Sequence, residues 1–391
     1  MRKFCEDKLI DVIKSVIIEE SYKMPKEEGK KSFLHDITDE DRKALVKFAR
    51  WHNLEHIVYY AMASSEEDEH AFQFYSYAAV TTQQIMAAQH ISQALSAKKI
   101  PHIFLKGSTI RRIYPEEWMR NSCDVDLLVK NEDLEAAGKI IESLGYTRGG
   151  EITHHIAYTN DYIEVELHYL LIEDFLNIKA SAILDNVWSC GVRPRDSGNS
   201  SYIYELLDEY AYFYQIAHMV RHFNRGGCGI RSVLDIWMLN HRCEFDRVKR
   251  DELLTLGGLD LFEKHILALG EYWFADGDGD RLGTVEQWIL SGGAFGDHDR
   301  IEGVMKSKRR SKIRYLIYVM FPPYNKMCHK YKVLKRHAWL LPVFYIFRYF
   351  HLIYLLGINR VINRFKALFK KEKNQSEIDK MLEQLGIIDI D

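Results

Sequence analysis

The sequence predicts an α+β protein, a small mixed-sheet core flanked by N-terminal and C-terminal helical domains. Three observations predict it. Residues 1–99 carry apolar side chains at helical spacing. Residues 100–171 switch to short apolar runs separated by Gly, Pro and an Asn-Asp pair. Beyond residue 201 the helical spacing returns. The expected divisions are therefore 1–99, 100–195 and 196–391, the last holding a basic segment at 306–373.

In the first division Leu9, Val12, Ile13, Val16 and Ile17 recur on one helical face, as do Leu45, Phe48, Ala49 and His52. Thr38 precedes Asp39, Glu40 and Asp41, the pattern of an N-cap with acids in the first turn. A longer helix is expected over 71–98, ending before Pro101. Residues 101–106 read as a strand, turned by Gly107-Ser108 into a helix over 108–114 that Pro115 ends. Residues 124–129 form a second strand and 132–144 a helix, with Gly145 at its C′ position. The segments 152–159 and 162–171 flank Asn160-Asp161 and predict a hairpin. A polar stretch at 191–201 marks a boundary, and helices are expected over 204–223, 229–242, 260–274 and after 300.

The composition describes an ordinary soluble globular chain, with 47% hydrophobic and 28% charged residues. Six cysteines lie scattered without a CxxC pair, and the N-terminus lacks the apolar core of a signal peptide. Both favour a reducing cytoplasm. The net charge of −3 hides an asymmetry: residues 306–373 hold 18 Lys or Arg against one acid, Glu372. Such a block pairs with an acidic remainder of its own chain or with an anionic partner, membrane or RNA. The apolar run at 338–357 is interrupted by Pro342, Arg348 and His351, which reads as a buried or interface-lying helix and not a span. Residues 360–371 add an amphipathic basic pattern that could lie on an anionic surface.

Chemistry is suggested by Asp124 and Asp126, which open the run Asp124-Val125-Asp126-Leu127-Leu128-Val129. Strand residues i and i+2 share a face. Carboxylates roughly 6 Å apart repel by about 3 kcal/mol at an effective dielectric near 20, and a cation removes that penalty. One or two Mg²⁺ ions suit such oxygen donors. Upstream, Lys106-Gly107-Ser108 has the chemistry of a phosphate cradle: a backbone free to approach, a hydroxyl and a positive charge. A third carboxylate is expected on a neighbouring strand. Glu164 and Glu166 are on one face there, and Glu166 is preferred because Val165 and Leu167 flank it and His168 follows.

These residues resemble the DNA polymerase beta-type nucleotidyltransferase superfamily. More narrowly, the chain resembles an uncharacterised bacterial nucleotidyltransferase family with a KG…R…DxDxLV…ExH arrangement, here Lys106-Gly107, Arg120, Asp124–Val129 and Glu166-Leu167-His168. Flanking likeness extends to Ala217-His218, His222, Gly229-Ile230-Arg231, Asp235 and Gly292-Gly293-Ala294-Phe295-Gly296. The resemblance implies Asp124, Asp126 and Glu166 as the catalytic metal triad, with Gly107 and Ser108 at the phosphates of an NTP such as ATP. Fifteen residues separate Ser108 from Asp124, longer than is usual in the superfamily, and among Arg111, Arg112, Tyr114 and Arg120 in that insertion, Arg120 is the best phosphate or acceptor contact. The implied reaction moves a nucleoside monophosphate to a hydroxyl acceptor that the sequence does not identify. The alternative is a catalytically inactive nucleotide-binding module, or one associated with a membrane or nucleic acid, on the same fold.

Other signals carry less. His218 and His222 have metal-ligand spacing, but no Glu follows His218, so the zinc-protease pattern is absent. With His154, His155 and His168 also present a zinc site is conceivable, but helix–helix hydrogen bonding is the preferred reading. Asp276-Gly277-Asp278-Gly279-Asp280 opens like a calcium loop, but Arg281 replaces the required glycine. Gly226-Gly227-Cys228-Gly229 follows no strand, so it makes a poor dinucleotide motif.

Overall fold

The computed structural model describes residues 2–26, 31–151, 154–171, 178–195, 201–275, 283–296, 331–356 and 375–387, with isolated residues between 300 and 327. The chain divides into two compact units, Met1–Asp297 with Leu385–Asp391, and His298–Gln384.

The first unit begins with four helices: α1 (Arg2–Ile13), α2 (Asp39–Trp51), α3 (Glu55–Met62) and α4 (Glu69–Ala97). The Thr38 cap forms as expected, its hydroxyl accepting from the Asp41 amide at 3.2 Å. There follow β1 (His102–Phe104), α5 (Gly107–Ile110), β2 (Asp124–Val129), α6 (Leu134–Ser143), β3 (Thr147–Glu151), β4 (His155–Thr159) and β5 (Glu164–His168). Next come α7 (Ile178–Asp185), α8 (Val187–Cys190), β6 (Val192–Pro194) and β7 (Ile203–Leu206). The unit continues through α9 (Asp208–Asn224), α10 (Gly229–Arg242), α11 (Arg247–Gly257), α12 (Asp260–Phe274) and α13 (Thr284–Gly292).

One seven-stranded mixed sheet runs in the order β3-β4-β5-β2-β1-β7-β6. The β2–β5 and β1–β7 pairs are parallel, and the remaining neighbours antiparallel. The period of two decides what each face does. Val125, Leu127 and Val129 pack with Val165 and Leu167 against Ile91 and Leu95 of α4 and Ala137 and Ile141 of α6. Asp124 and Asp126 alternate with them and therefore belong to the opposite face.

Three strands depart from the sequence reading. β3 is Thr-Arg-Gly-Gly-Glu with every residue exposed, so this edge strand has no apolar alternation to betray it. β6 lies within the polar stretch at 191–201 that suggested a boundary and β7 follows it; β7 pairs with β1, so the sheet extends to Leu206. Residues 203–206 are consequently strand, not the start of a helix. Two glycine-rich segments also find their reason. A Cβ on Gly227 would stand 2.4 Å from the Gly296 nitrogen, so the turn before α10 and the end of α13 meet backbone to backbone.

In the second unit α14 (Leu341–Leu356) and α15 (Gln375–Gln384) are described. Among the described residues no helix is long and apolar enough to cross a membrane. Most of the basic segment 306–373, the amphipathic pattern at 360–371 and the loop 276–280 lie outside the described residues.

Candidate active site

The site is built on the ends of three adjacent strands. β2 supplies Asp124 and Asp126, β5 supplies Glu166 and His168, and the turn after β1 supplies Lys106. The parallel register sets Asp126 beside Glu166 and Asp124 beside Glu164. Lys106 has φ +44° and ψ −117°, a conformation that L residues rarely adopt and that costs about 1–3 kcal/mol. That turn aims its ammonium at the carboxylates. Nζ lies 2.5 Å from Asp126 Oδ1 and 3.9 Å from Glu166 Oε2.

His168, fully buried, places Nε2 2.8 Å from Asp126 Oδ1 and 3.2 Å from Glu166 Oε2. Both partners are carboxylates, so Nε2 carries the proton. His155 of β4 adds Nδ1 at 3.2 Å from Glu166 Oε2. Glu164 is exposed, so Glu166 is the member of that pair inside the cluster.

The charges are unequal in their support. Burial pushes the Asp124 carboxyl up to about 6, and Asp126 adds to the shift while Lys106 opposes it. Burial would raise Asp126 as well, but the Lys106 ammonium and the His168 hydrogen bond hold it well below the usual carboxylate range. Glu166 is likewise lowered, against burial, chiefly by His168. Burial works to lower His168, yet its two carboxylate bonds leave it raised. From α9, Tyr214 is raised and His218 lowered, both mainly by burial and both within electrostatic reach of Lys106. His218 and His222 approach each other at 3.2 Å between their Nε2 atoms, a contact within one helix.

Gly107 is required by space. A Cβ there would stand 2.6 Å from Ser122 Oγ, the hydroxyl that donates to Asp124 Oδ1 at 3.1 Å. Ser108 is half-buried, and its amide donates to the Leu105 carbonyl at 3.2 Å. The insertion turns mostly inward. Arg111 is buried and donates from Nε to the Gly107 carbonyl at 2.8 Å. Arg120, expected at a phosphate, forks onto Asp235 of α10 at 2.8 and 2.9 Å and gives Nη1 to the Asn121 carbonyl. Tyr114 donates to the same Asp235 at 2.7 Å. This buried network ties the insertion to α10. Arg112 stays exposed and lines a cavity of ≈ 200 Å³ with Lys106, Thr109, Glu205, Tyr214 and Gln215 among others.

Asp126, Glu166 and His168 place ligand atoms within 4.8 Å of one another, a set that could hold a metal ion. His168 completes that group in space while its Nε2 proton serves the two carboxylates, and Asp124 stands beside them, held by Ser122. His168 follows Glu166 by two residues and so shares its strand face, but its role depends on the β2–β5 register, which sequence does not state. The carboxylate oxygens of Asp124, Asp126 and Glu166 fit a hard divalent ion such as Mg²⁺. The fit is supported by Asp124, whose raised carboxyl marks negative charge that Lys106 alone leaves uncompensated.

A buried ionic cluster on one face of a mixed sheet is costly to fold and marks a chemical site rather than core. The chain belongs to a family of uncharacterised nucleotidyltransferases, whose family model matches residues 38–275, spanning α2 through α12 and all seven strands. No curated protein and no solved structure matches the chain.

Proposed function

We propose that the protein transfers a nucleoside monophosphate from a Mg²⁺-bound NTP to a hydroxyl acceptor, releasing pyrophosphate, with the core of a DNA polymerase beta-type nucleotidyltransferase. The observation that carries this reading is the pairing of Asp126 with Glu166 across parallel strands, two residues after Asp124 and beside the Lys106-Gly107-Ser108 turn. Asp124, Asp126 and Glu166 would hold the metal, with His168 fixing the last two. A divalent ion there supplies positive charge to the triphosphate and to the acceptor oxygen. Lys106 is the nearest protein cation for the phosphates, and the cavity at Arg112 and Tyr214 offers room for a fragment of substrate.

In the reaction the acceptor oxygen attacks the α-phosphorus, and the bond to the bridging oxygen of pyrophosphate breaks. The acceptor proton passes to Glu166, which is ionised and bracketed by His155 and His168. Titration calorimetry of Mg·NTPs tests the reading: the wild type binds, and Asp126→Asn and Asp126→Ala lose metal-dependent binding. Absence of such binding in the wild type overturns it.

One observation favours a rival. Lys106 already sits 2.5 Å from Asp126, so the cluster is partly neutralised without metal, as a catalytically inactive nucleotide-binding module would need. Incubation with α-labelled NTPs and hydroxyl acceptors separates the two, because only the enzyme releases pyrophosphate. The basic segment 306–373 offers charge for an anionic partner, membrane or RNA, which liposome flotation and salt-dependent RNA binding test.

A further inference from the structure

We propose that His154, His155 and His168 form a second metal site, for a transition ion of the Zn²⁺ type, behind the carboxylate cluster. The antiparallel register places His155 of β4 directly opposite His168 of β5. His154 precedes β4, and its carbonyl accepts from the Tyr169 amide at 3.1 Å, which ties the end of the hairpin where the rings meet. Each residue offers a nitrogen within 4.8 Å of the other two, and all three residues are buried.

Ring spacing is the strongest geometric support. The centroids lie 4.7 Å apart for His154 and His155, 4.9 Å for His155 and His168, and 5.4 Å for His154 and His168. In a tetrahedral site with Zn–N near 2.0–2.1 Å, each ring centre stands about 3 Å from the ion, and two such centres are about 5 Å apart. The spacing of the three imidazoles therefore matches that of three arms of a tetrahedral site.

The second observation is an atom. His168 Nδ1 is buried and makes no hydrogen bond. With Nε2 turned to Asp126 and Glu166, Nδ1 is the ring nitrogen of His168 left to meet a metal. A carboxylate bonded to the far nitrogen of a histidine is the arrangement that orients imidazole toward a metal and raises its basicity.

Donor chemistry keeps the two sites apart. Imidazole suits Zn²⁺, Co²⁺ or Ni²⁺, whereas carboxylate oxygens suit Mg²⁺. His168 touches both, with Nε2 in the acidic cluster and Nδ1 in the imidazole set, so an ion behind it would stiffen the strand that carries Glu166. The inference stands without the proposed transfer reaction.

The test uses the full chain stripped with chelator and titrated with Zn²⁺ alone against a chromophoric competitor, then with Co²⁺ followed by visible absorption. One tight equivalent is expected, with the Co²⁺ bands of a nitrogen-ligated tetrahedral site. His154→Ala and His155→Gln should each weaken Zn²⁺ binding at least tenfold while far-UV dichroism is retained, and Asp124→Asn should leave it unchanged. No stoichiometric Zn²⁺ binding, binding indifferent to both histidine substitutions, or Co²⁺ bands of thiolate ligation overturns the site. Should both variants unfold, the wild-type Co²⁺ spectrum still decides between nitrogen and sulfur ligation. Mg·NTP binding to the Zn²⁺-free protein is read separately, so failure of one reading is distinguishable from failure of the other.

Discussion

Asp124→Asn should make the metal-free protein more stable at neutral pH while removing its response to Mg²⁺. The wild-type carboxyl is raised from 3.8 to about 6, chiefly by burial and then by Asp126. A carboxylate raised in the folded state binds its proton more readily there than in the unfolded chain. Between about pH 4 and pH 6 stability therefore falls as pH rises, and the full penalty is present above about pH 6. Each unit corresponds to about 1.4 kcal/mol, so a shift of roughly two units caps the penalty at about 3 kcal/mol. Asp124 retains some solvent contact, which brings the expected gain of the amide to about 1–3 kcal/mol. The amide oxygen still accepts from Ser122, so the loop is undisturbed. Urea denaturation in chelator at about pH 5 and about pH 8 measures the effect: the variant's advantage appears at the higher pH and shrinks at the lower. Mg²⁺ at about a hundred times its dissociation constant then stabilises the wild type by about 2.7 kcal/mol and the variant much less. A variant no more stable than wild type at the higher pH, or equally favoured at both, refutes the account of Asp124 as uncompensated charge.

Two further outcomes follow from the same cluster and its frame. Arg120→Met leaves Asp235 buried without its cation and should cost about 3–5 kcal/mol in urea denaturation, while Arg120→Met with Asp235→Leu recovers most of the loss; nucleotide binding that stays absent in the recovered double variant would instead assign Arg120 to a phosphate. Lys106→Met removes the ammonium beside Asp126 and should destabilise the protein by a few kcal/mol at neutral pH, yet bind Mg²⁺ more tightly in calorimetry, because metal then faces no competing cation.

Parts of the fold were legible because local signals agreed with tertiary need. The helices expected over 229–242 and 260–274 form as Gly229–Arg242 and Asp260–Phe274, since sustained apolar spacing leaves one buried face and one choice. Residues 124–129 form the strand Asp124–Val129 for a related reason, a short run of strand formers opened by polar residues. β3 was not legible, because an exposed edge strand needs no apolar pattern and holds its place by pairing with β4. Residues 203–206 are strand although they run straight into α9, whose first turn holds Asp208 and Glu209, because pairing with β1 and β6, which local spacing does not encode, makes them so.

At the site, residue types were readable and partnerships were not. Asp124, Asp126, Glu166 and Lys106 stand out in sequence because charged groups beside strand formers demand an explanation. Arg120 stood out equally, yet its guanidinium is committed to Asp235, 115 residues away along the chain. Nothing in local spacing encodes that distance. His154 and His155 meet His168 only through the register of β4 on β5. The sequence by itself determined the chemistry available, namely hard oxygen donors, imidazoles and a lysine beside a tight turn, and it supported membership in a nucleotidyltransferase family. The tertiary structure decided which of them share a face and which charges cancel, because sheet register and helix packing set distances, and electrostatic energy depends on distance and burial rather than on order in the chain.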